Sequence, residues 1–215
     1  MGLFSRFSNR ERIILSFLVV LILLNALTII TSRNLSGFSD DFKSMLQDRL
    51  IPASDLAKIQ EQLYRNRLNL EELVFMSGYE NQRQLIRELE MNNTTIDSIK
   101  LRYAGTYLTD DEVLNLRTFD QRIDKYRGIE ARILNHLRTG KQEQASALYL
   151  RQSGPAFENL LQTTHTLEDI QLSVGQALYR HAERKVNSIQ VFAYLSIGIT
   201  LMITLNMLKV LRYKI

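Results

Sequence analysis

Ile13-Ile-Leu-Ser-Phe-Leu-Val-Val-Leu-Ile-Leu-Leu-Asn-Ala-Leu-Thr-Ile-Ile-Thr-Ser32 contains fourteen Leu, Ile, Val or Phe and no charge. A hydrocarbon core of about 30 Å is crossed by about 20 helical residues, so this stretch is long enough to span. Each large apolar side chain favours insertion by about 0.3 to 0.6 kcal/mol, and the single Asn25 does not cancel fourteen of them. No small-residue cleavage site follows; Thr28-Ile-Ile-Thr-Ser-Arg33 stands there, and the segment reads as a retained anchor. Met1-Gly2 does not open a myristoylation signal, because Arg6 sits where Ser or Thr is required.

A second uncharged stretch, Val186 to Leu208, has the same reach, and seven residues follow it. Charge sets the expected orientation. Arg6, Arg10 and Arg12 oppose Glu11 before the first stretch, and Lys209, Arg212 and Lys214 stand after the second without an acid. Both ends therefore read as cytoplasmic. Residues 33–185 carry 21 Lys and Arg against 22 Asp and Glu, so the chain's net +4 resides in its tails. That distribution reflects topology and gives no nucleic-acid footprint. The expected divisions are a tail at 1–12, a span at 13–32, an extracytoplasmic module at 33–185, a span at 186–208 and a tail at 209–215.

The module must hold itself together by packing. The chain has no cysteine, which excludes a disulfide framework and thiolate metal sites. Two prolines and nine glycines leave few points at which a helix can break. The pattern predicts an all-α fold, an antiparallel up-down four-helix bundle continuous with the two transmembrane helices. Helix one, about Asp40 to Met76, places Phe42, Met45, Pro52, Leu56, Ile59, Leu63, Asn66, Leu70 and Leu73 on one seam and ends at Ser77-Gly78. Helix two, about Tyr79 to Ala104, aligns Leu85, Leu89, Asn92, Ile96, Ile99 and Tyr103, with Gly105 as its stop. Helix three opens on the capping box Thr109-Asp-Asp-Glu112, flanked by Leu108 and Val113 at the two staple positions. Its seam runs through Leu116, Phe119, Ile123, Tyr126, Ile133 and Leu137. Helix four begins near Lys141 and carries Phe157, Leu160, Thr164, Leu167, Gln171, Val174 and Leu178.

Helix two, folded back, brings its end level with Pro52, below which only helices one and four continue as a stalk. Proline removes a donor and clashes with the preceding turn, so Pro52 is expected to bend helix one. Asn66, Asn92, Thr164 and Gln171 either fix register as buried polar layers or line a cavity; the first is the commoner use of single polar seam residues. Asn25 and Asn206 lie at different depths and are not expected to pair.

Asp48-Arg-Leu-Ile-Pro-Ala-Ser-Asp-Leu56, Arg67-Leu-Asn-Leu70 and Gly140-(x)4-Ala-Ser-Ala-Leu-Tyr149, in that order within a span-bundle-span frame, resemble the four-helix-bundle sensor domain of methyl-accepting chemoreceptors. The resemblance implies a homodimer that binds a small organic ligand and passes a helix displacement through the bilayer. In the related aspartate receptors the ligand lies between arginines of helix one and carbonyls released by a proline turn on helix four. Arg67 matches the first such arginine, and Tyr149-Leu-Arg-Gln-Ser-Gly-Pro155 resembles the turn. Glu72 stands where the next arginine would be, which argues against the same acidic ligand. Candidate ligand residues are accordingly Arg65, Arg67, Arg151 and Gln152, with Pro52, Asn66 and Pro155 as structural residues. The competing reading makes the three arginines solvated surface charges.

Catalysis finds little footing. His136, His165 and His181 show no ligand spacing, and no phosphate loop, nucleophile elbow or carboxylate pair is present. No enzyme activity, metal or cofactor is expected. The reading is a sensory protein of a bacterial inner membrane, with both termini cytoplasmic and a separate membrane or cytoplasmic protein supplying the output. The alternatives are a dimerisation scaffold and a truncated receptor.

Overall fold

A computed structural model describes residues 9–76 and 79–212. Ser77-Gly78, Met1-Gly2, Arg6 and Lys214, which entered the reading above, fall outside them. The described residues form four helical runs: α1 (Asn9–Met45) with α2 (Ile51–Phe75), α3 (Tyr79–Ala104), α4 (Asp110–Arg138), and α5 (Gln142–Leu148) with α6 (Gly154–Arg212). A five-residue π turn joins the members of each pair, Leu46–Leu50 in the first run and Tyr149–Ser153 in the last.

Both prolines of the chain, Pro52 and Pro155, lie two residues beyond a π turn. Ile51 N–H reaches back to Leu46 C=O, one residue further than an α-helix does. This wider turn accommodates the missing donor and the ring of the proline that follows. The first run thus departs from α-helix at the expected place, but as a wider turn: Met45 (φ −59°, ψ −41°) and Ile51 (φ −64°, ψ −49°) both keep right-handed helical torsions.

Contacts divide the chain into two units, one formed by the segments up to Lys43 and from Leu178 onward, the other by Ser44–Ala177. In the second unit the seams form the core. Leu56, Ile59, Leu63, Leu70, Ile96, Phe119, Ile123, Ile133, Phe157, Leu160 and Leu167 are all at most 2 % exposed, each contributing about 1.5 to 3 kcal/mol of transfer free energy. Contacts between α2 and α3 join rising numbers on one to falling numbers on the other: Asp55 with Arg102, Asn66 with Asn93, Asn69 with Glu88. The end of α3 is therefore level with the start of α2, as the length argument required. Asp55, 2 % exposed, is held by two Arg102 bonds, from Nε at 2.7 Å and Nη2 at 2.5 Å, because a buried carboxylate is tolerated only when paired.

The capping box forms with both of its bonds. Of the two staple residues, Leu108 packs on the core while Val113 remains 37 % exposed. At the far end of α4, Gly140 takes φ +71°, Lys141 N–H donates to His136 C=O at 2.9 Å and Gly140 N–H to Leu137 C=O at 3.1 Å. These are the paired bonds of a Schellman stop, for which glycine is suited because it lacks a Cβ. Gly105 does not play that part. Among the described residues only Gly140 has positive φ, and α3 ends in a tightened turn with Thr106 N–H on Tyr103 C=O.

In the first unit, Asp41 accepts from Lys185 Nζ at 2.6 Å and faces His181 Nδ1 at 3.3 Å. The Lys185 bond holds the Asp41 carboxyl below its ordinary range against the opposing effect of burial. His181 is half exposed. Asn25 Nδ2 donates to Leu21 C=O at 2.8 Å within its own helix; the Asn206 side chain lies outside the described residues. Among the described residues two helices are long and apolar enough to cross a membrane, and neither apolar window is buried.

Candidate functional site

α2 and the start of α6 meet around Phe157, which is 1 % exposed. Tyr64 packs edge-on against its ring at 5.1 Å and Tyr126 tilts onto it at 5.8 Å. The Arg67 guanidinium carbon lies 4.6 Å from the same ring centroid, a favourable cation-π distance. Arg67 Nη1 also donates to Glu158 Oε1 at 3.3 Å. About two turns earlier in the fourth run, Tyr149 donates its hydroxyl to Glu71 Oε2 at 3.0 Å and packs edge-on against Phe75 at 5.5 Å. Burial first, and the Glu71 bond second, push the Tyr149 phenol up.

Arg67 and the proline-associated turn are thus neighbours. The other candidates disperse. Arg65 donates to Glu61, four residues back, from Nε at 3.0 Å and Nη2 at 2.8 Å, with both side chains exposed. Gln152 Oε1 accepts from Arg132 Nη2 at 2.8 Å and so is turned toward α4. Arg151 is exposed. Glu72 is half-buried.

A buried polar junction emerges that sequence reasoning missed. Arg49, in the first π turn and 5 % exposed, donates from Nη1 to Glu112 Oε2 at 2.9 Å and Oε1 at 3.1 Å, and from Nη2 to Tyr107 C=O at 3.3 Å. Glu112, fully buried, also accepts from Tyr103 hydroxyl at 3.1 Å, from Gln171 Nε2, and from Thr109 N–H at 2.7 Å. One carboxylate therefore completes a helix cap and ties together α3, α4, α6 and the turn below α2. Burial pushes the Tyr103 phenol up. Of this set, the cap and the two seam positions Tyr103 and Gln171 were legible; Arg49 stood within a segment that carries the resemblance, with nothing to mark it as buried.

A second polar layer surrounds Glu130 on α4, which is 4 % exposed. Asn66, fully buried, donates Nδ2 to Asn93 Oδ1 at 3.0 Å. Arg127 spans the same level, bonding Asn93 Oδ1 at 3.3 Å, Asn93 C=O at 3.1 Å and Asp97 at 3.0 Å. Asn66 Oδ1, Tyr126 hydroxyl and Glu130 Oε1 are buried without a hydrogen-bond partner. Desolvation, opposed by Asn93, by the Arg127 charge and by the Tyr126 hydroxyl, pushes the Glu130 carboxyl up to about 7. Asn66 accordingly does bond across helices at a seam position, in a layer of which the seams marked Tyr126 but not Asn93, Arg127 or Glu130.

The histidines stand apart. His165 lies within 3.4 Å of Glu168 and of Gln60, His181 faces Asp41, and His136 Nδ1 is buried without a partner. Among the described residues no cluster of three or more His, Asp or Glu could hold a metal.

A family model described as a four helix bundle sensory module for signal transduction matches residues 7–186. No curated protein and no solved structure matches the chain.

Proposed function

Since this chain belongs to the family of four-helix-bundle sensory modules for signal transduction, we propose that it senses a small organic molecule outside an inner membrane. In this proposal Val186–Leu208 and Ile13–Ser32 span the bilayer, both termini are cytoplasmic, and an antiparallel up-down bundle continuous with the spans faces outward. Ligand binding biases the packing of α2 against α6. The resulting ångström-scale shift reaches a separate signalling partner. The chain works as a homodimer; Tyr64 and Leu68, exposed on α2, supply apolar surface for a second copy. No catalytic step belongs to this reading.

The observation that carries it is Arg67, poised over Phe157 with its charge only partly occupied by the exposed Glu158. A ligand carboxylate would exchange with Glu158 for that guanidinium, a substitution arginine's fork geometry favours. The test is a thermal-shift screen of the full chain in lipid nanodiscs against organic acids and amino acids. A hit is expected to raise the midpoint in the wild type and to lose at least tenfold in affinity on Arg67→Ala. An unaltered affinity in that variant removes Arg67 from the site.

A further inference from the structure

We infer that Glu130 and the polar layer around it form a proton-binding site, whose occupancy sets the packing between α4 and the turn that opens α6. This goes beyond small-molecule sensing and does not depend on it.

The argument rests first on donors and acceptors. Asn66 Oδ1, Tyr126 hydroxyl and Glu130 Oε1 are all buried, and none has a hydrogen-bond partner. An ionised glutamate can only accept, so it leaves this group short of donors. A protonated glutamate supplies one where it is missing, beside Tyr126, whose hydroxyl acts electrostatically on the Glu130 carboxyl. Leaving such groups unpaired in the interior costs more than a satisfied pair contributes.

The cations near the layer are committed elsewhere. Arg127, three residues before Glu130 on α4, directs Nη1 to Asp97 on α3 and its other nitrogens to Asn93. Arg67 on α2 serves Glu158 and the Phe157 ring. Facing groups on α3 and α2 are the neutral amides Asn93 and Asn66, and the second π turn contributes Ser153, which is 1 % exposed. Tyr149 on that turn is engaged with Glu71. A buried carboxylate without a committed cation favours its neutral form, and its carboxyl is pushed up to about 7.

The layer is connected to α6. Tyr126, one helical turn from Glu130, packs on Phe157 at 5.8 Å, and Phe157 stands two residues after Pro155. Ionising Glu130 draws the Tyr126 hydroxyl into donating toward the carboxylate and reorients the ring that supports Phe157.

The sign follows from comparing the two states. The carboxyl titrates near 4.5 without the fold and near 7 within it, so the folded chain holds the proton more tightly. Stability contributed by that proton is fully present below about pH 4.5 and is lost as pH rises through about 7. The full chain in nanodiscs is melted between about pH 5 and pH 8.5, as wild type and as Glu130→Gln, whose neutral amide mimics the protonated acid. The wild-type midpoint is expected to fall by several degrees up to about pH 7 and then level off, whereas Glu130→Gln lacks this fall. Infrared spectroscopy of the wild type gives a readout that survives a misfolded variant: a neutral carboxylic-acid carbonyl band present at about pH 6 and gone by about pH 8.5. An equal midpoint fall in folded Glu130→Gln, or no acid band in the wild type at about pH 6, overturns the inference.

Discussion

Charged side chains decide more in this molecule than their solvated spacing in the sequence suggests. Glu112 occupies the third position of a capping box, a role normally worth about 1 kcal/mol at the helix cap. It also neutralises the buried Arg49, and losing one partner of a buried ion pair costs about 3 to 5 kcal/mol because the other charge is left unpaired. Glu112→Ala is therefore expected to destabilise the full chain by at least about 3 kcal/mol in denaturant melts, and Thr109→Ala, which removes only the cap oxygen, by about 1. Equal losses would mean that the Arg49 pair contributes nothing. Arg49 and Asp55 were illegible as buried charges beforehand for one reason. Nothing in a single sequence separates a charge that faces water from one whose partner arrives 47 or 63 residues away. The apolar seams were legible because burial of Leu56, Ile96, Ile123 or Leu160 follows from period alone.

At the scale of the element, both runs that contain proline solve the same problem alike. A π turn fits one residue more than the α-helix around it, and Pro52 and Pro155 each follow one at the same offset. The sequence showed where the α-helix would fail but not how, since a bend and a widened turn both answer a missing N–H. Gly105 and Gly140 teach the same lesson about stops: both follow a helix, yet only Gly140 uses the left-handed region. If the second π turn is one surplus residue, deleting Leu150, 68 % exposed, together with Pro155→Ala should restore an ordinary helix at a cost within about 1 kcal/mol. Deleting Thr163, in the third turn of α6, should instead rotate every later side chain by about 100° and abolish cooperative melting. Comparable melts for the two deletions would refute the surplus-residue account.

For the whole molecule, helical architecture and two membrane-competent helices were readable from period and length, and the family from the resemblance of three ordered segments. The proposed ligand contact was readable only in part. Arg67 and the Pro155 turn do come together, while Arg65 pairs within its own helix, Gln152 turns toward α4 and Arg151 is exposed. Helical spacing alone tells which side of a helix a residue takes, but the partner helix on that side is a tertiary fact.

The Glu112 carboxylate bonds Arg49 in the first run and Gln171 in the last, the two runs that also carry the membrane-competent windows. Put genetically, Glu112 and Gln171 are loci where alleles with fixed output should collect. In a reporter strain, Gln171→Leu is expected to hold output at one level with or without ligand while leaving ligand affinity near wild type. Recovery of a full ligand response in that allele would show that the shared carboxylate is only a fastening.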